Sequence, residues 1–257
     1  MKQKKGKIGI IILGSNAYFP LGIRFMNRFT HYYVGNNDIF FHFFSNNNPL
    51  IYLKNSINCK HHPVKHKDWV EAVESKFDNV LSLDNEELDH LYFFDADTNI
   101  KQPFGDWFVG DMVGAEHFGN NTWMKDRKDY DRYENSSAYI PLDTPHPQMY
   151  YMGCCWGGTR ENMFTLCRTI KKWQEHNKAL QYEPGVNDES YLNKYYHYNP
   201  PSKVVPIQEF KFVISDKGSI DNTRNPLLDV KYMNKYMFEW RESLWDIKDS
   251  VVVKEKA

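Results

Sequence analysis

Residues 91–100 read "LYFFDADTNI": four apolar or aromatic residues running into two aspartates separated by one small residue. The apolar run is short and continuous, the pattern of a strand buried on both faces. In extended backbone Asp95 and Asp97 project to the same side. Two ionised carboxylates there repel each other, and partial burial adds a desolvation cost. A positive partner is required, and the rest of the chain says what kind of molecule needs it.

Working outward, the same pattern recurs. "KIGIIILG" (7–14) is a buried first strand followed by the polar loop "SNAYFP", and a helix is predicted over about 21–30. "DIFFHFF" (38–44) and "DMVGAE" (111–116) are further strands. "HKDWVEAVESKF" (66–77) has helical spacing with Trp69, Val70, Val73 and Phe77 inward. "YYMGCCWGG" (150–158) reads as a strand with a glycine turn, followed by helices over 160–176 and 187–198. Strands alternating with helices predict an α/β fold with a mostly parallel, Rossmann-like nucleotide-binding sheet in a single domain. In such sheets ligands sit at the carboxyl ends of the strands, where both Asp95–Asp97 and the loop after the first strand fall.

With 257 residues and a net charge of −1, the chain has no basic excess to suggest nucleic acid or an anionic membrane. No run approaches the roughly 20 apolar residues of a membrane span. The basic start "MKQKKGK" precedes too short an apolar run for a signal peptide, so a cytoplasmic, soluble protein without membrane anchor is expected. Cys59, Cys154, Cys155 and Cys167 form no CxxC pair and are expected as free thiols. His61, His62 and His66 are read as a solvated loop rather than a metal site.

Three readings suit the aspartate pair. It can cap a turn at a strand end. It can be the nucleophile and acid of a haloacid-dehalogenase-type phosphatase, although that pattern places a Thr where Asn99 stands. Or it can hold a divalent cation, Mn2+ or Mg2+, that bridges the diphosphate of a sugar nucleotide and stabilises the leaving group. A non-catalytic sugar-binding module is a further alternative.

"DADTNI", "SSAYIPLD" (136–143), "YYMGCCWGGTRE" (150–161) and "NDESYLNKYY" (187–196) together, in this order, resemble glycosyltransferase family 6, the family of the histo-blood-group A and B transferases and α-1,3-galactosyltransferase. The resemblance runs from about residue 8 to 226. It implies a GT-A fold and retaining, metal-dependent transfer of Gal or GalNAc from a UDP-sugar to a galactoside acceptor in α-1,3 linkage. It divides the chain into a nucleotide-binding part (1–100), an acceptor and catalytic part (101–226) and a helical extension (227–257). Asp95 and Asp97 match the metal positions, with Ala96 near the nucleotide. Ile12, Leu13, Gly14 and Tyr18 match the uridine loop, and Lys217 and Arg224 match basic residues that close over the diphosphate. Glu189 matches the catalytic glutamate. Asp188, His117, Gly119, Met152, Gly153, Cys154 and Trp69 match donor-sugar and acceptor positions. Read from the residues alone, Glu189 shares a helix face with Leu192 and Tyr196, or is an acid in the first turn behind an Asn187 cap. "GVNDES" and "HFGNNTW" depart from the family's Trp-His and His-Pro-Gly segments, which bears on the acceptor. With no anchor or stem before residue 7, a microbial or viral catalytic-domain-only member is expected.

Overall fold

The computed structural model describes residues 5–100, 103–117, 130–141, 149–205 and 212–214. Its centre is a seven-stranded sheet in the order β3-β2-β1-β4-β7-β6-β8. The strands are β1 (Lys7–Leu13), β2 (Asp38–Ser45), β3 (Cys59–Pro63), β4 (His90–Asp95), β6 (Met112–Glu116), β7 (Tyr151–Thr159) and β8 (Lys203–Val205). A two-stranded ribbon pairs β5 (Thr98–Ile100) with β9 (Phe212–Ile214). Within the main sheet only β7 runs against its neighbours, pairing antiparallel with both β4 and β6. The mostly parallel α/β sheet expected from the alternation is therefore what the chain forms.

Helices cover both faces. Ile8, Ile10 and Ile12 of β1 pack with Phe25, Met26 and Phe29 of α1 (Phe19–Tyr32) on one side. Ile11 of β1 and Phe93 of β4 lie on the other, with Phe77 and Val80 of α3 (Lys76–Leu81), Met163 and Leu166 of α4 (Arg160–Ala179) and Leu192 and Tyr196 of α5 (Asn187–Tyr198). Alternate residues of one strand thus serve two apolar layers, as period-2 projection requires. Pro20 in the first turn of α1 starts that helix two residues earlier than its spacing suggested, because a proline there loses no helical hydrogen bond.

Three expectations change. The helix read over 66–77 is two short ones, α2 (Trp69–Glu74) and α3, meeting at Ser75. The Ser75 hydroxyl donates to the Ala72 carbonyl at 2.8 Å, a back-bond that competes with the helical ladder and bends it. Of the histidines read as a solvated loop, His66 lies in the connection after β3, but His61 and His62 lie in edge strand β3, and His62 shares a 3.0 Å hydrogen bond with His42 of β2. Gly157 and Gly158 make no turn. They are strand residues emptied of side chain, since a Cβ on Gly157 would stand 2.0 Å from the Tyr92 ring and one on Gly158 2.3 Å from the Asp111 carbonyl. The four cysteines are free thiols, as expected. Among the described residues no helix is long and apolar enough to cross a membrane.

Candidate active site

The site forms where β1 and β4 end together. Leu13 pairs with both Phe44 and Asp95, so the loop following β1 opens beside the acidic pair. Ile12 is fully buried in the core, while Leu13 and Tyr18 stand half-buried at the loop. Gly14 admits the Phe43 ring, which would lie 2.5 Å from a Cβ there. Asn16 has φ 52, and the Asn16 and Asn46 side chains tie the two strand-end loops to each other. Past Asp95, the turn through buried Ala96 and Asp97 leads into β5.

Asp95 does not await its counter-charge. The Lys76 ammonium lies 3.0 Å from Asp95 Oδ1 and 2.8 Å from Asp188 Oδ2, over the Phe93 ring. Burial by itself would push the ammonium toward neutrality. Asp188 and Asp95 outweigh that, leaving its pKa above the ordinary lysine value and the group charged. Reading the positive partner solely as a metal is corrected in this respect: the first cation at Asp95 is the protein's own. Sequence reasoning missed Lys76, yet the signal was there. It follows Ala72 and Val73 by four and three residues and precedes Val80 by four, so it occupies the apolar stripe of its helices.

Asp188 and Glu189 sit in the first turn of α5, where the helix dipole favours acids. Asn187 is not the cap that was one reading of this turn. It lies inside the helix at φ 39, behind Val186, which provides no side-chain cap. Asp188 is buried. Desolvation raises its carboxyl pKa, Lys76 opposes the rise, and the charges of Asp95 and Glu189 add to it. Half-buried Glu189 accepts a 2.7 Å hydrogen bond at Oε2 from the Gly153 backbone N–H of β7. A Cβ on Gly153 would lie 3.1 Å from Asp188 Oδ2 and 3.3 Å from Glu189 Oε2, so the two carboxylates occupy the space a side chain would fill. Asp95 and Asp188 thus meet at Lys76, Gly153 lies against Asp188 and Glu189, and Asp97 is two residues from Asp95.

Met152 and Cys154 flank Gly153 and are buried. Burial pushes the Cys154 thiol far up, and Asp95, Glu189 and Asp97 push it further, so it stays protonated and no nucleophile. His117 lies at the end of β6, half-buried, its ring edge-on to Tyr150 at 5.5 Å. Trp69 opens α2, half-buried. Gly119, Lys217 and Arg224 lie outside the described residues, as does the whole of 227–257.

Asp95 and Asp97 suit a hard divalent cation of the kind bound by one or two carboxylates and completed by substrate phosphates. Among the described residues no three His, Cys, Asp or Glu side chains converge as a self-sufficient metal cage.

A mixed sheet of this order, with loops collected at its carboxyl edge and acids ending β4 and opening α5, defines a GT-A-like α/β architecture. The model of "Glycosyltransferase family 6" matches residues 1–214, and the chain belongs to that family. It is similar to "Histo-blood group ABO system transferase 2" of Rattus norvegicus, 31% identical over 46% of this chain and 35% of that protein. It also resembles "Globoside alpha-1,3-N-acetylgalactosaminyltransferase 1" of Gallus gallus, 26% identical over 56% of this chain and 43% of that protein. A third is "O-antigen biosynthesis glycosyltransferase WbnI" of Escherichia coli, 29% identical over 44% and 48%. The matched segment spans less than half of each of these three relatives.

Proposed function

We propose that this protein transfers Gal or GalNAc from a UDP-sugar to the 3-hydroxyl of a galactoside, with retention at the anomeric carbon. The observation that carries the reading is the Glu189–Gly153 contact beside the Asp95–Lys76–Asp188 bridge. Family membership supports the reaction class and leaves the phosphatase and binding-module alternatives without a supporting observation.

In this reading the loop after β1 holds the uridine and Asp95 and Asp97 face the diphosphate. A bound Mn2+ or Mg2+ would supply the Lewis acid that stabilises the departing phosphates. The bond between anomeric carbon and diphosphate oxygen breaks, and UDP leaves with the electron pair. Positive charge grows on the anomeric carbon, and the Glu189 carboxylate stabilises it. The Gly153 N–H aims that carboxylate, and an acid in place before charge develops pays no reorganisation during the reaction. The acceptor oxygen then bonds to the anomeric carbon, and its proton passes to the leaving phosphate. Asp188, held by Lys76, is placed to accept hydrogen bonds from sugar hydroxyls. Lys217 and Arg224 would close over the diphosphate, and His117 and Trp69 would meet the acceptor.

The test is product analysis. Incubation with UDP-Gal or UDP-GalNAc and a β-galactoside should give an α-linked product whose anomeric proton and linkage are read by NMR. A β-linked product, or sugar phosphate with no glycoside, would contradict the reading.

A further inference from the structure

The pairing of β4 with β7 ends at Phe94 opposite Cys155, while β7 continues to Tyr151. In a strand the N–H and C=O of alternate residues point to the same edge. Tyr150 faces β6, since its carbonyl accepts from the His117 N–H. Tyr151 therefore presents its backbone groups to the other edge, beyond the end of β4, and Gly153 lies in the stretch where the register with β6 shifts. Buried main-chain groups demand partners, and here side chains provide them. Asn193 Oδ1 accepts from the Tyr151 N–H at 2.8 Å and Asn193 Nδ2 donates to the Tyr151 carbonyl at 2.9 Å, an amide paired as a strand residue would be. On the next rung, Gly153 N–H donates to Glu189 and the Gly153 carbonyl accepts from Trp156 Nε1 at 3.1 Å. The second Nδ2 hydrogen of Asn193 goes back one turn to the Glu189 carbonyl at 2.9 Å.

We propose that Asn193 is a positioning residue for Glu189. It registers α5 on the open edge of β7, so that the carboxylate four residues earlier falls on the Gly153 N–H. Asn193 is 2% exposed, with its amide oxygen and both amide hydrogens committed to this contact. The two rungs are two residues apart on β7 and four apart on α5, so a slip at the first moves the second. The inference rests on Glu189 being the carboxylate beside the anomeric carbon.

The experiment compares N193A, E189Q and the double variant, measuring kcat for sugar transfer and the Kd for UDP. N193A is expected to lose about 100-fold in kcat, the scale of an ångström of misplacement, with UDP affinity within about twofold of the parent. The double variant is expected to match E189Q, because a residue acting through Glu189 has nothing further to lose once that carboxylate is gone. N193S, which keeps a hydroxyl near Tyr151, should fall between parent and N193A, and is held to the same criteria should N193A not fold. Loss of kcat and UDP affinity in step, or losses that multiply in the double variant, would overturn the proposal. Should E189Q alone keep full turnover, the role given to Glu189 fails, and this outcome is read without any Asn193 variant.

Discussion

The two halves of the sheet handle charge in opposite ways. In β1, β2 and β3 nearly everything interior is apolar, and the polar groups that enter are neutral. His42 is buried against His62, and desolvation followed by the nearby imidazole lowers its pKa to about 4. Around β4, β7 and α5 the protein instead buries formal charge, with one ammonium set among carboxylates and the half-buried Glu189 carboxylate pinned to backbone. The first arrangement builds a floor on which a ligand can rest in loops. The second stores electrostatic work inside packed elements, where low dielectric makes each charge count. Changes in the first half should therefore affect binding or stability and spare turnover, and changes in the second should lower turnover, with or without a loss of stability.

The largest expected effect tests that division directly. Glu189→Gln should lower kcat about 1,000-fold, the range for loss of a preorganised electrostatic group, while the Kd for UDP stays within about twofold. A matching drop in UDP affinity, seen by titration calorimetry, would erase the distinction between the halves. Next, Lys76→Met leaves half-buried Asp95 and buried Asp188 without their cation. Unfolding by urea should show a loss of about 3 kcal/mol, as for a broken buried pair, together with weakened turnover.

The third sharpens the other side of the comparison. Because folding holds His42 neutral, the unfolded chain binds the proton first as pH falls below 6.5, so stability declines from there toward pH 4. The loss is about 2 kcal/mol by pH 5. His62, His66 and His90, also lowered mainly by burial, act in the same direction. His42→Gln should make the urea midpoint fall less steeply over that interval, and an unchanged slope would mean the imidazole is not held neutral. The smallest effect belongs to the loop after β1, proposed to hold the uridine. Tyr18→Ala should raise the donor KM about tenfold, near 1.4 kcal/mol, with kcat unchanged, since it removes binding common to ground and transition states.

How much of this could be read from residues alone follows the same divide. β1, β2, β4 and β6 are continuous apolar runs and α4 and α5 strongly periodic segments, so their positions emerge within a few residues of those observed. Cys59–Pro63 escaped because an edge strand carrying Lys60 and His61 has no apolar alternation to show. The direction of β7 escaped because paired glycines suggest a turn, whereas here they make room for Tyr92 and the Asp111 carbonyl. Asp95, Asp188 and Glu189 were legible as acids at element ends. Lys76 shares the apolar stripe yet was passed over, because a lysine is by default solvated and its burial depends on the bend at Ser75 and on Asp188, 112 residues away in sequence. Asn193 carries no signal of its role in the sequence, since its partner is the backbone of a strand edge that exists only once β4 stops short.

The most direct test of the central claim is release of UDP from UDP-Gal, UDP-GalNAc, UDP-Glc and UDP-GlcNAc, with Mn2+ and with EDTA, for the parent chain and Glu189→Gln. The account expects Mn2+-dependent release from UDP-Gal or UDP-GalNAc that Glu189→Gln nearly abolishes. Release that persists in EDTA would take the metal from Asp95 and Asp97 and leave Lys76 as the cation at Asp95. No release from any donor, with no UDP bound, would contradict the account.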